Sequence, residues 1–158
     1  MIDISIRTAV IDDLPILLAF ERGIIETERP WDPTVRTGND VHYYDLAELV
    51  ESPDAEVIVA VSDGEIVGSG YALIITAKPY RTYDRYAYLG FMYVVPEFRG
   101  AGVNKRIIEG LENWSRSQGV TEMILEVYAE NSTAIRAYEK SGYAGIVLRM
   151  RKPLGGTG

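Results

Sequence analysis

The chain opens on a short alternation of apolar and polar residues from Ile4 to Ala9, the period of a half-buried strand. Asp12 and Asp13 then precede a helical pattern of apolar positions at Leu14, Leu17, Leu18, Phe20 and Ile25, with Pro15 in a first turn that tolerates it. Glu28 to Asn39 holds two prolines, a tryptophan and a glycine and reads as a loop. A second helix is expected over Val41 to Glu51, stopped by Ser52-Pro53. Val57–Val61 and Ile66–Ile75 flank Ser62-Asp63-Gly64-Glu65, the strongest hairpin signal in the chain. A tyrosine-rich loop at Lys78–Tyr86 leads into a strand over Ala87–Val95.

The second half changes rhythm. A helix is expected from about Gly102 to Gln118 with Gly119 as its stop, then a short strand over Met123–Tyr128. A further helix covers Ser132–Ser141 with Gly142 closing it, and a last strand covers Tyr143–Met150. The order β-α-α-β-β-β-α-β-α-β puts antiparallel hairpins first and strand–helix–strand units, which favour parallel pairing, second. This predicts an α+β fold with a mixed sheet, and a Rossmann fold would not open in this way. One domain is expected over 1–154, with a disordered tail at 155–158.

Composition narrows the chemistry. At 158 residues the chain can bury a real core. It has no cysteine and one histidine, His42, so thiolate-ligated or His-rich metal sites are not expected. A formal charge of −7 argues against nucleic acid as the main partner, which would be bound through clustered Lys and Arg. No apolar run is long enough to span a bilayer and no signal pattern occurs in residues 1–10, so a cytoplasmic protein with no membrane partner is expected.

The stretch Val94-Val95-Pro96 to Arg99-Gly100-Ala101-Gly102-Val103-Asn104 stands out. Helix entrances usually carry a Ser, Thr, Asp or Asn cap for the orphan backbone N–H groups, and here glycine and alanine offer almost no side chain. An anion is the natural acceptor for those donors. The P-loop template fails because no Gly-Lys-Ser/Thr follows and the dinucleotide fingerprint fails on spacing, while glycines at such a turn more often serve tight packing than a ligand. Glu126, inside an apolar strand pattern, either faces solvent or is buried. Asn131 or Ser132 is suited to cap the last helix, and Tyr138 lies seven positions after Asn131, about two turns on and near the same face.

Taken together these features resemble the GNAT acetyltransferase superfamily. Its pyrophosphate motif, Arg/Gln-x-x-Gly-x-Gly/Ala after a Val-x-Pro strand end, is matched by Arg99 to Asn104, although Asn104 stands where the family usually has Gly or Ala. Its downstream pattern is matched by Asn131, Ala134, Tyr138 and Gly142-Tyr143. Leu125-Glu126-Val127 is similar to the ribosomal-protein N-terminal acetyltransferases within that superfamily.

The resemblance implies an acyl-CoA N-acyltransferase fold with about four helices, and transfer of an acetyl group from acetyl-CoA to a primary amine by direct attack. It implies that Met92, Tyr93 and Val94 hold the pantetheine amides and thioester through their main chain. Arg99, Gly100, Ala101, Gly102, Val103, Asn104 and Lys105 would hold the pyrophosphate, with Arg106 adding charge, and Asn131 would contact the pantetheine. By the same positional match Glu126 is the general base and Tyr138 the acid that protonates the leaving thiolate. The acceptor is left open between a small molecule and a peptide N-terminus. Acidic and aromatic residues in Glu26–Asp32, Asp40–Tyr44 and Tyr80–Tyr86 suit a cationic amine, and the same residues taken singly read more readily as solvated carboxylates and tyrosines that pack the domain. A non-catalytic CoA-binding module and a longer-chain acyltransferase are the alternatives. The short C-terminus leaves room for one terminal strand, not two, which suggests a homodimer with Ile146, Leu148 or Met150 at the contact.

Overall fold

The computed structural model describes residues 2–156. Two compact units are formed, Met1–Tyr128 and Ala129–Gly158, and each is described by itself. The first holds β1 (Ser5–Thr8), α1 (Leu14–Glu28), α2 (Leu46–Glu51), β2 (Ala55–Ser62), β3 (Glu65–Thr76), β4 (Arg85–Val94), α3 (Val103–Ser117) and β5 (Met123–Leu125). The second holds α4 (Ser132–Lys140).

The sheet runs β1-β2-β3-β4-β5 in space as in sequence, antiparallel through β4 and parallel between β4 and β5. The β2–β3 turn places Asp63 at φ 50° and Gly64 at φ 77°, the left-handed pair that matches the twist of a two-residue hairpin. The parallel step is possible because α3 carries the chain back across the sheet.

Two apolar layers cover the sheet. On one face Leu17, Phe20 and Ile24 of α1 and Leu46 of α2 pack with Val57, Val59, Tyr71 and Phe91. Against the other, α3 buries Val103, Ile107 and Leu111, and β3 answers with Gly68 and Gly70. A Cβ on Gly68 would lie 3.0 Å from Val103, and one on Gly70 would lie 2.9 Å from Ile107, so these two glycines let helix and strand approach closely.

Three expected elements differ. Strand β5 ends at Leu125, not Tyr128, where its pairing with β4 stops. Helix α2 starts at Leu46, not Val41, because the Asp45 carboxylate accepts the Glu48 N–H and caps it there. Upstream of that cap, the Tyr43 and Tyr44 N–H groups are taken by the Glu21 carboxylate. The strand expected over Tyr143–Met150 is not formed: the described residues after Ser141–Gly142 adopt no regular structure. A strand exists only with a neighbour to pair with, and no ladder of the sheet includes a residue beyond Leu125. Of the tail expected to be disordered, Thr157 and Gly158 lie outside the described residues.

Candidate active site

Strands β4 and β5 pair at only three positions, Ala87 with Met123, Tyr88 with Ile124 and Leu89 with Leu125. Beyond Leu89, β4 continues to Val94 with no β5 partner, so the two strands part. At the fork β4 is bulged: Tyr71 pairs with Gly90 but Ser69 pairs with Tyr93, and Phe91 between them has φ 57°. The Ser69 hydroxyl donates to the Phe91 carbonyl at 3.1 Å in a buried setting. Gly90 is required by the Tyr71 ring, which a Cβ there would meet at 2.2 Å. Met92, Tyr93 and Val94 form the free-running end of β4, each half-buried.

The chain leaves this strand through a 3-10 turn at Pro96–Phe98 and enters α3 by way of Gly100 at φ 81° and Gly102 at φ 83°. Both values lie in the left-handed region where glycine carries no Cβ penalty. A Cβ added at either glycine would meet nothing within 4 Å, so packing does not require them. Gly102 is the N-cap and offers no side-chain hydrogen bond. The first backbone bond at this end runs from Arg106 N–H to the Gly102 carbonyl at 3.2 Å, leaving Val103, Asn104 and Lys105 N–H without an acceptor inside the helix. The Arg99 side chain folds back, its Nε donating to the Val94 carbonyl at 2.9 Å and its guanidinium lying over the Tyr93 ring. The Arg106 Nη1 donates to the Ile4 carbonyl.

Glu126 lies one residue past the end of β5, is exposed, and accepts a hydrogen bond from the Tyr88 hydroxyl at 3.2 Å. Burial, then the Glu126 charge, raises the Tyr88 phenol above its ordinary range. In the second unit, the Asn131 side chain accepts the Ala134 N–H and caps α4. Tyr138 lies near the far end of that helix. There Tyr143 N–H bonds the Tyr138 carbonyl and Gly142 N–H the Glu139 carbonyl, the paired bonds of a Schellman stop with Gly142 at φ 96°. The Tyr138 and Tyr143 rings meet edge-on at 6.0 Å.

Several contacts of the segments Glu26–Asp32 and Asp40–Tyr44, and the place of Tyr128 among them, are not evident from sequence. The Tyr128 hydroxyl donates to Asp32 at 2.6 Å, and its ring stacks at a tilt near Trp31. Glu28 is half-buried and burial raises its carboxyl above the ordinary carboxylate value. Burial also pushes the Tyr43 phenol up to about 12, with the nearby Glu28 charge adding to it. The Tyr43 hydroxyl has no partner of hydrogen-bonding geometry, so Glu28 acts on it as a charge rather than as an aligned acceptor. A cavity of about 300 Å³ is walled by Tyr43, Tyr44, Tyr71 and Leu73, with Asp45 and Glu48 beside them. Among the described residues there is no His, Cys, Asp and Glu group that would hold a metal, and no helix long and apolar enough to cross a membrane.

The model of the Acetyltransferase (GNAT) family matches residues 24–143, which span the fork, the glycine turn and α4. The chain belongs to this family. The IAA acetyltransferase of Azospirillum brasilense is 33% identical to this GNAT chain over 103 residues, 65% of this chain and 63% of that relative's length. The chain therefore spans somewhat under two thirds of that protein. Solved structures share the fold: a mutant of the BH1408 protein from Bacillus halodurans has a TM-score of 0.85 at 19% identity, covering 95% of this chain and 99% of that one. A predicted acetyltransferase from Clostridium acetobutylicum, solved with acetyl-CoA, has a TM-score of 0.70 at 16% identity, with coverage of 96% and 97%. A five-stranded mixed sheet with four helices among the described residues is the GNAT fold expected from sequence.

Proposed function

We propose that the protein is an acetyl-CoA-dependent N-acetyltransferase acting on a primary amine. The observation that carries this reading is the entrance of α3, where two left-handed glycines face open space in front of uncapped N–H groups. Packing does not require the two glycines, their left-handed turn leaves the N–H groups uncapped, and a pyrophosphate is a fitting acceptor for those groups. Gly100 to Lys105 would hold that group, with Arg99 bracing the turn from Val94. The end of β4 that has no β5 partner, from Met92 to Val94, would take the pantetheine arm and orient the thioester. Acetyl-CoA supplies an activated acetyl group; the protein's part is to align it and to move protons.

Glu126 is suited to take the proton of the attacking amine, directly or through water, because it stands at the mouth of the fork and is held by Tyr88. Tyr138 would give a proton to the departing sulfur, and Asn131 would orient the pantetheine; both assignments rest on their place in the family's motif. The phenols and carboxylates of the cavity beside α2 suit a cationic acceptor. The Leu125-Glu126-Val127 likeness keeps a peptide α-amine among the candidates beside small amines. The reading also includes a homodimer, supported by the exposure of Ile146, Leu148 and Met150, each more than 70% accessible.

A ligand that binds only the folded state raises its apparent stability, by about 2.7 kcal/mol at a hundred times its dissociation constant. Saturating acetyl-CoA is therefore expected to raise the melting temperature, and a thiol-release assay across an amine panel to show turnover. An unmoved melting temperature would reject the cofactor assignment.

A further inference from the structure

Glu21 is a buried carboxylate that the proposed chemistry does not use. It is 1% exposed, on the same helical face as Leu17 and Ile25, where a carboxylate is costly unless its oxygens are fully bonded. Three donors meet it, His42 Nδ1 at 2.7 Å, Tyr43 N–H at 2.8 Å and Tyr44 N–H at 3.0 Å. Its neighbour Arg22 holds the same connection by its carbonyls, donating to Asn39 at 2.9 Å and Val41 at 3.2 Å. α1 thus grips the chain just before α2 by both polarities of the backbone.

What this grip places is Tyr44. Its ring lies edge-on to Phe91 at 5.4 Å and to Tyr71 at 5.6 Å. Phe91 is the bulge residue of β4, in a backbone region that bulky residues rarely adopt and that surrounding structure must enforce. Ser69 and Tyr71 enforce it from the adjoining strand, and Tyr44 enforces it from a connecting segment with no sheet register of its own. Burial raises the Tyr44 phenol above its ordinary range. The bulge is where β4 parts from β5.

We propose that Glu21 is a positioning residue for acyl transfer: by fixing the Tyr43–Tyr44 backbone it seats the Tyr44 ring on the Phe91 bulge and so sets the direction of the β4 groups that orient the thioester. The inference rests on the acetyltransferase reading. If Glu21 only stabilised the fold, its loss would lower stability and leave turnover per folded molecule as it was.

The test uses E21A, E21Q, Y44L and the double variant E21A/Y44L in the full chain, with acetyl-CoA and the best amine of the panel. E21A is expected to lower kcat by about tenfold to a hundredfold, the range for small misplacements of reacting groups, and to change the KM for acetyl-CoA far less because the α3 entrance is untouched. E21Q is expected to recover most of that loss, since its amide oxygen accepts both N–H groups and its NH2 donates to His42 Nδ1 in the other tautomer. Y44L should lose a similar factor, and the double variant no more than the worse single one, because both act through one contact. Unchanged kcat in folded E21A, or losses that multiply in the double variant, would overturn the proposal. If E21A does not fold, Y44L decides: full kcat there overturns it. If no amine is acetylated by the wild type, the enzymatic reading has failed, and the amide resonances of Phe91 and Met92 still judge this proposal. Glu21 bonds His42, Tyr43 and Tyr44 rather than Phe91 or Met92, so a shift in E21A that E21Q reverses supports it, and unmoved signals refute it.

Discussion

At the scale of single residues, the clearest polar device outside the active region is Asp13. Its carboxylate accepts two bonds from Arg7, at 2.8 and 3.0 Å, and a third from Val10 N–H at 2.8 Å. The hydrogen bond to Arg7 leads in holding its carboxyl below the ordinary value of 3.8. A depressed carboxyl stabilises the fold above its unfolded pKa, and this stabilisation is lost as pH falls through the folded one. D13A is accordingly expected to cost about 1–3 kcal/mol in urea unfolding at neutral pH, as for a buried bond network losing its acceptor. The gap from wild type should close below the ordinary carboxyl value, and a gap that persists there would mean the cost is packing. For the proposed proton carriers, Y138F is expected to lower kcat with little change in acetyl-CoA affinity. E126Q should lower it most at low pH, where free amine is scarcest. Wild-type rates in both would return Glu126 and Tyr138 to plain structural duty.

At the scale of elements, the glycine turn gives the sharpest expectation. G102V should weaken acetyl-CoA binding, measured by calorimetry, by more than its effect on folding explains. The Cβ would stand in space that the protein leaves open, although the left-handed φ of 83° adds strain of its own. G142V, at a comparable φ of 96° with equally open surroundings, is the control for that strain. Equal loss of affinity in both would mean that backbone strain, not the anion site, is being measured. Most elements were legible because local chemistry fixes them: Asp63-Gly64 can only turn, Gly119 and Gly142 stop helices, and Asn131 caps one. The start of α2 was not, since an apolar helical pattern from Val41 cannot reveal that Glu21, two elements away, claims the preceding N–H groups. Glu21 itself left a trace in its spacing of four from Leu17 and from Ile25. The Phe91 bulge left none, because it arises from Ser69, Tyr71 and Tyr44 acting across the sheet. The terminal strand failed for the complementary reason: Ile146 to Met150 have the side chains of a strand, but pairing is not a property of one segment.

At the scale of the whole molecule, the exposed run Ile146, Val147, Leu148 and Met150 is a large apolar surface for a protein of net charge −7. The homodimer reading predicts a dimer in sedimentation velocity at micromolar concentration, and replacement of Leu148 and Met150 by Lys should shift it to monomer. A wild-type monomer would end that reading and leave the acetyltransferase one standing.

The three-pair ladder between β4 and β5 behaves like a zipper with its slider halted at Leu89. Strands advance about 3.3 Å per residue, so one further pair would carry the crotch of the fork that far toward Val94, and one fewer would deepen it equally. The depth of the fork is therefore quantised by backbone register, not graded by side-chain size. The last pair, Leu89 with Leu125, is followed on β4 by Gly90 and then by the bulge at Phe91.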